Sequence, residues 1–216
     1  MSIKENLLQI KSQIPNHVTL VAVSKTKPVS DLMEAYNAGQ RIFGENKIQE
    51  MTDKWEEMPK DIQWHMIGHV QTNKVKFMAE YVSLIHGVDS LKLLQEINKQ
   101  AQKYNRVIEC LLQIYIAEEE SKFGLDEEEL SEILNSDELK SMNNIKIVGL
   151  MGMATFTDNQ NQIKKEFDNL KNIFDKEYVI YDGSPSSALT SASGTYNVKY
   201  YQINTPRELG FRANYF

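Results

Sequence analysis

The chain has 216 residues, of which 41% are hydrophobic and 25% charged, and its net charge is −6. These values are typical of a soluble globular protein and argue against a general affinity for nucleic acid or anionic membranes. The chain contains one cysteine, which excludes an intrachain disulfide, and no apolar stretch approaches membrane-spanning length. Because the N-terminus shows an amphipathic helix instead of a signal peptide, we expect a cytoplasmic protein.

Helix-like and strand-like segments alternate along the chain, beginning with an apolar helix face over residues 1–14. Short apolar runs predict strands at 18–23, 41–44, 62–68, 81–87, 107–116, 145–154, 178–181 and 198–203. Amphipathic spacing predicts helices at 31–38, 47–58, 72–79, 90–104, 126–134 and 160–174.

This rhythm of strand and helix requires parallel pairing with right-handed crossovers. A closed barrel and an open doubly wound sheet both satisfy it. The count of about eight strands, and the lack of a glycine-rich dinucleotide motif after the first one, favour the barrel. We therefore predict a single α/β domain over residues 1–216, a (β/α)8 TIM-type barrel preceded by an N-terminal helix.

Lys25 follows the first predicted strand in the run HVTLVAVSKTKPV. In an α/β barrel, the carboxyl end of a strand is where catalytic and binding groups lie. A partly desolvated lysine at that position can lose its proton near neutral pH and form a Schiff base with an aldehyde. The alternative is a lysine that extends from a strand end into water, and this segment alone does not separate the two.

Other polar residues follow the next strands, and each also has a structural interpretation. Asn46 is an amide that can donate and accept hydrogen bonds, but it can also cap a helix. His65 alternates with apolar neighbours within its strand, so it either points into the barrel or is a hydrogen-bonded core residue. Asp89 and Ser90 resemble a helix N-cap. Neither metal-ligand spacing nor a Ser-His-Asp arrangement is apparent, so we predict no metal site and no catalytic residue.

A hydroxyl-rich segment, GSPSSALTSASGT, spans residues 183–195. Backbone N–H groups of Gly183, Ser184 and Ser186, together with the serine hydroxyls, are suited to cradle a phosphate at a helix N-terminus. A phosphate site near the last two strands is a recurring barrel feature. The alternative is a flexible surface loop, which composition alone favours.

Six runs of the chain together resemble the pyridoxal phosphate homeostasis protein family, single-domain relatives of the alanine racemase N-terminal barrel. In order, they are VAVSKTKP, FGENKIQE, WHMIGHVQTNK, GVDS, SKFGL and GLMGMA. The resemblance implies a barrel that holds pyridoxal 5′-phosphate (PLP) as a Schiff base on Lys25, with Asn46 and His65 lining the pocket. It also implies a carrier without robust catalysis, which buffers the cofactor or delivers it to PLP-dependent apoenzymes and thereby affects vitamin B6 balance.

The last 36 residues, 181–216, depart from the family pattern. Gly183 matches the first glycine of the family's closing motif, and Lys199 falls where an arginine facing the pyridine nitrogen is usual. Two tyrosines replace the isoleucine and the phosphate-binding glycine that normally follow. The phosphate cradle is therefore either rebuilt from Ser184, Ser186 and Ser187 or weakened. A cation at the arginine position disfavours protonation of the pyridine, which makes the cofactor a poor electron sink.

Three alternatives stay open from the sequence. One is a PLP-dependent enzyme similar to an amino-acid racemase, which needs a second base opposite Lys25. Another is a cofactor-free barrel of the aldolase type, in which Lys25 forms a Schiff base with a carbonyl substrate. The third is a barrel without a ligand. We expect PLP as the ligand, a monomer, and neither nucleic acid nor membrane as a partner.

Overall fold

The computed structural model describes residues 2–118, 123–181 and 212–214, with side chains as far as Lys176. In the described part, the strands are β1 Val21–Val23, β2 Ile42–Glu45, β3 Gln63–Met66, β4 Val82–Val88, β5 Ile108–Ile114, β6 Ile145–Gly152 and β7 Arg212–Asn214. The α-helices are α1 Ile3–Gln13, α2 Val29–Asn37, α3 Ile48–Glu57, α4 Leu91–Lys103, α5 Glu127–Asn135, α6 Asp137–Lys140 and α7 Gln160–Tyr181. A 3₁₀ helix, Thr72–Phe77, occupies the place of the predicted helix at 72–79.

The first six strands pair in parallel and in chain order, and β7 pairs antiparallel with β1. An open doubly wound sheet reverses its strand order at a switch point, whereas a barrel adds each strand on the same side. The order β1 to β6 contains no reversal. The fold is therefore the TIM-type α/β barrel that the sequence predicts.

Alternating residues of the strands face two different surroundings, as the pleat of a strand requires. Ala22 and Phe43 belong to a large apolar cluster between the sheet and the helices. Val21, Leu84 and Leu111 form a second, smaller cluster with Met151. This second cluster is the inner filling of the barrel, and its existence separates an inner face from a helix-side face along each strand.

Two predicted elements near the end of the chain have different outcomes. The strand predicted at 178–181 is wrong, because α7 continues through Tyr181. A run of four apolar residues fits a helix as well as a strand, and here it extends an already formed helix. The strand predicted at 198–203 lies outside the described residues, so the count of eight strands stays a prediction.

Local signals in the sequence explain the starts of two helices and the state of the cysteine. The Ser90 side chain accepts a hydrogen bond from the Leu93 N–H, which confirms it as the N-cap of α4. Asp126 and Glu129 form a capping box at the start of α5. Cys110 lies fully buried in an apolar strand, and burial raises the pKa of its thiol to about 12, so the thiol stays protonated and unreactive.

Among the described residues, none of the helices combines the length and the apolar character needed to cross a bilayer.

Candidate functional site

Lys25 lies at the carboxyl ends of the barrel strands, directly after β1. It is half-buried, and it follows Val23 by two residues. Val23 is aligned with Gly44, and Gly44 with His65, on neighbouring strands. Since aligned residues of parallel strands share a face, these three lie on the inner face with Val21. The strand end that carries Lys25 thus adjoins the inner mouth of the barrel.

Lys25 occupies a tight turn with an unusual backbone. The Lys27 N–H donates to the Ser24 carbonyl oxygen at 3.1 Å, which closes the turn around Lys25. Thr26 has a φ of 63°, in the left-handed region that a β-branched residue rarely adopts. Such a conformation costs about 1–3 kcal/mol and persists only where the surroundings impose it. The turn is therefore held in place by contacts outside itself.

A group of ionic and polar side chains supplies those contacts, and we call Ser24, Glu45, Glu50 and Lys54 the turn cluster. Lys54 Nζ donates to the Ser24 carbonyl oxygen, to Glu45 Oε1 and to Glu50 Oε1, each at 2.7 Å. Ser24 Oγ donates to Glu45 Oε1 at 2.7 Å, and the Thr26 N–H donates to Glu50 Oε1 at 2.6 Å. The cluster joins the ends of β1 and β2 to α3.

The members of the turn cluster differ in burial and in charge balance. The side chain of Glu45 is 0% exposed, that of Lys54 7% and that of Glu50 25%. Burial raises the pKa of the Glu45 carboxyl above its ordinary value, although hydrogen bonds from Lys54 and Ser24 oppose the rise. Burial acts in the same direction on Glu50, but hydrogen bonds from Lys54 and the Thr26 N–H outweigh it and lower its pKa. One ammonium group thus serves two carboxyl groups.

Two buried histidines lie on the inner side of the sheet. His65 Nδ1 and His86 Nε2 are 3.1 Å apart, which is a hydrogen bond whose donor depends on the tautomer. His65 is 6% exposed and His86 2%. One of the two facing nitrogens must carry the hydrogen while the other accepts it. The arrangement therefore fixes complementary tautomers and orients the His65 ring.

Phe123, which follows β5 in the chain, contacts both β5 and a residue after β3. Gln113 Nε2 donates to the Phe123 carbonyl oxygen at 2.8 Å, and the Leu125 N–H donates to the Gln113 carbonyl oxygen at 2.8 Å. The Phe123 ring stacks on His69 with centroids 5.3 Å apart. His69 Nδ1 is in turn 3.4 Å from Asp89 Oδ2. These contacts connect residues that follow β3, β4 and β5 at the mouth of the barrel.

The structure brings three of the residues predicted for the site to this region. Lys25 and Asn46 follow neighbouring strands, and His65 lies in the next strand. Asn46 is exposed, and Lys47 precedes α3 in its place, so the alternative of Asn46 as the helix cap is wrong. The remaining predicted residues lie outside the described part of the chain: Gly183, Ser184, Ser186, Ser187 and Lys199. In the described part, no group of residues is arranged to hold a metal ion.

Sequence reasoning missed the turn cluster and His86. Glu50 and Lys54 are four residues apart on the predicted helix, a spacing that places them side by side. Glu45 ends β2 with the same alternation as Phe43, which assigns it to the helix-side face. His86 is two residues from Leu84 and therefore shares its inner face. These signals were present, but they become specific only once the strand faces are known.

Gly68→Ala is expected to displace the loop that carries Asn46. A β-carbon at Gly68 would lie 2.5 Å from the Asn46 carbonyl oxygen, a backbone atom that cannot rotate away. Such overpacking typically costs about 1–3 kcal/mol, measurable by urea unfolding. Gly44→Ala is the control, because its new methyl group meets only side-chain atoms of Val21 and Ile67, at 3.0 Å or more. An equal loss of stability in both variants would contradict the close approach at Gly68.

In comparison with known proteins, the sequence matches one family over most of its length. The family model for the alanine racemase N-terminal domain matches residues 1–203. Curated relatives called pyridoxal phosphate homeostasis protein include one from Aquifex aeolicus, 36% identical over 74% of this chain and 70% of its own length. Another, from Synechocystis, is 37% identical over 76% of each chain.

Solved structures show the same likeness. PipY of Synechococcus elongatus with PLP bound is 32% identical, with a TM-score of 0.75 over 83% of this chain and 84% of its own. Alanine racemase of Clostridium difficile is 15% identical, with a TM-score of 0.67 over 83% of this chain but 50% of its own, and it shares the fold alone.

Proposed function

Because the chain belongs to the alanine racemase N-terminal domain family and, within it, to the pyridoxal phosphate homeostasis proteins, we propose that it binds PLP and acts in vitamin B6 homeostasis. The observation that carries the proposal is the position of Lys25. It is a half-buried lysine on a constrained turn at the carboxyl ends of the barrel strands. PipY, with PLP bound, shares this fold at 32% identity.

The described residues fit the aldehyde end of the cofactor. When bound, PLP supplies an aldehyde that condenses with a primary amine and releases water. Lys25 Nζ is the amine, and its anchoring turn limits the positions that this atom can reach. His65 supplies a buried ring whose Nδ1 is engaged by His86, and the exposed Asn46 supplies an amide at the same mouth. We assign Asn46 and His65 to the wall of the pocket.

The remaining roles belong to the part of the chain that the structure does not describe. We assign the phosphate to Gly183, Ser184, Ser186 and Ser187, and the pyridine nitrogen to Lys199. A lysine cation near that nitrogen opposes its protonation, which withholds the electron sink that carbanion chemistry needs. This arrangement favours a carrier without robust catalysis over a racemase.

The biological context is proposed on the same grounds. We infer a single-domain monomer in the cytoplasm that stores PLP and passes it to PLP-dependent apoenzymes. The net charge of −6 opposes binding to nucleic acid or to anionic membranes. Lys25 would hold the cofactor through its aldehyde, a linkage that water can reverse, so the cofactor could be released to an apoenzyme.

The proposal is tested by the absorbance spectrum of the purified protein before and after PLP is added. A yellow band, followed by borohydride reduction that places the adduct on Lys25 by mass spectrometry, is the expected result. Absence of a band at excess PLP, or an adduct spread over several surface lysines, would overturn it. Loss of an amino acid's optical activity in the presence of the loaded protein would instead support the racemase.

A further inference from the structure

We propose that Glu50 and Lys54 of α3 are positioning residues, which hold the Lys25 turn in the conformation needed to bind PLP without touching the cofactor themselves. The inference rests on the proposed function, since it concerns how Lys25 is presented to the same ligand. It adds a role for side chains on the helix side of the sheet, opposite its inner face.

The first support is that both neighbours of Lys25 in the chain are bound by the turn cluster. The Ser24 carbonyl oxygen accepts from Lys54 Nζ at 2.7 Å, and Ser24 Oγ donates to Glu45. On the other side, the Thr26 N–H donates to Glu50 Oε1 at 2.6 Å. The Cα atom of Lys25 is therefore fixed by bonds that do not involve its own side chain.

The second support is the strain at Thr26. Its φ of 63° is unfavourable for a β-branched residue, so an isolated turn would relax to another conformation. The hydrogen bond from its N–H to a carboxylate is a charge-assisted bond, stronger than one between neutral groups. Because this bond acts at the strained residue itself, its loss is expected to release the turn and to widen the range of positions open to the Lys25 amine.

The third support is the side of the sheet on which the cluster lies. Ser24 and Glu45 continue the alternation of Ala22 and Phe43, which pack toward the helices. His65 and Gly44 lie on the opposite, inner face. A ligand in the mouth of the barrel would meet the inner face, so the cluster acts on it through the backbone of the turn.

The choice of variant follows from burial. Lys54→Met is the obvious change, but it leaves a buried Glu45 carboxyl without its cation and so risks unfolding the protein. Glu50 is more exposed, and Glu50→Ala keeps the pair of Lys54 and Glu45 intact. Glu50→Gln retains an oxygen acceptor for the Thr26 N–H without the charge. Glu57→Ala is the matched control, an exposed glutamate on the same helix.

The first measurement needs no cofactor. Hydrogen exchange of the Thr26 amide in the free protein, followed by NMR, should be at least about tenfold faster in Glu50→Ala, because a bond to a charged acceptor is lost. Exchange in Glu57→Ala should match the unsubstituted protein, and that in Glu50→Gln should fall between the two. Unchanged protection of Thr26 in Glu50→Ala would overturn the proposal.

The second measurement uses PLP. Glu50→Ala is expected to bind it about tenfold more weakly, because the turn then adopts the binding conformation only part of the time, and borohydride should label Lys27 as well as Lys25. Faster Thr26 exchange with unchanged affinity and labelling would reduce the cluster to a structural role and overturn the proposal. If the unsubstituted protein itself fails to bind PLP, the proposed function fails, while the exchange measurement still decides whether the cluster holds the turn.

Discussion

Replacing Lys25 with alanine is expected to abolish borohydride-stable attachment of PLP while the protein remains folded. The side chain lies half-buried beyond the end of β1, so its removal withdraws one amine and little packing. Most single substitutions destabilise a protein by about 0.5–3 kcal/mol, and one that removes little packing is expected at the low end of that range. Lysine is the group that condenses with the aldehyde, so covalent retention should fall to background. Mass spectrometry after reduction measures the loss, and urea unfolding checks the fold.

Lys27→Ala is the matched control for this prediction. Lys27 is also half-buried, and it lies two residues after Lys25, at the other end of the same turn. It should keep both the absorbance band and the adduct on Lys25. The assignment of the amine to Lys25 would be wrong if Lys25→Ala still trapped PLP in equal amount, or if Lys27→Ala lost it.

The sequence was sufficient to predict the six parallel strands and the position of Lys25, although the short helix α6 was not predicted. The apolar run 107–116 is typical of a buried strand, and the amphipathic segment 90–104 has the spacing of a helix. The structure places β5 and α4 there. Lys25 was identifiable because a strand end in a barrel is defined by local sequence. The strand predicted at 178–181 was wrong because four residues are too few to distinguish the period of a strand from that of a helix.

The turn cluster could not be predicted in the same way. Lys and Glu on an amphipathic helix are usually solvated, and they are buried only where a partner from another element meets them. Lys54 meets Glu45, nine residues away in the chain but on a strand, and the Ser24 carbonyl oxygen, which lies thirty residues away. The His65–His86 pair depends similarly on the register between β3 and β4. Such contacts are properties of the tertiary structure and not of any one segment.

Lys54→Met is expected to produce the largest loss of stability among the changes considered. The substitution removes the cation from a carboxyl that is 0% exposed and leaves Ser24 as its remaining hydrogen-bond donor among the described residues. Breaking a buried pair by deleting one partner typically costs about 3–5 kcal/mol. Urea unfolding at neutral pH measures the free energy of unfolding. Lys99→Met is the control, since its exposed pair with Glu96 is worth less than about 1 kcal/mol.

The loss in Lys54→Met should depend on pH in a predictable direction. Burial already raises the pKa of Glu45, and removing Lys54 removes a group that lowers it, so the pKa rises further. A group whose pKa is higher in the folded state than in the unfolded state binds its proton more readily in the folded protein. Its contribution to stability is full below the pKa of the unfolded state and is lost as the pH rises through the pKa of the folded state. The deficit of Lys54→Met relative to the unsubstituted protein should therefore be smaller at about pH 5 than at about pH 7.5.

The double variant Lys54→Met with Glu45→Gln separates the charge from the loss of packing. A neutral amide needs no cation, so the second substitution should recover at least about 2 kcal/mol of the loss at neutral pH, since most of the penalty is the uncompensated buried charge. It should also remove the part of the additional pH dependence that comes from Glu45, leaving only the part from Glu50, whose pKa Lys54 also lowers. A double variant as unstable as Lys54→Met, with the same dependence on pH, would show that Lys54 stabilises the protein through contacts other than Glu45.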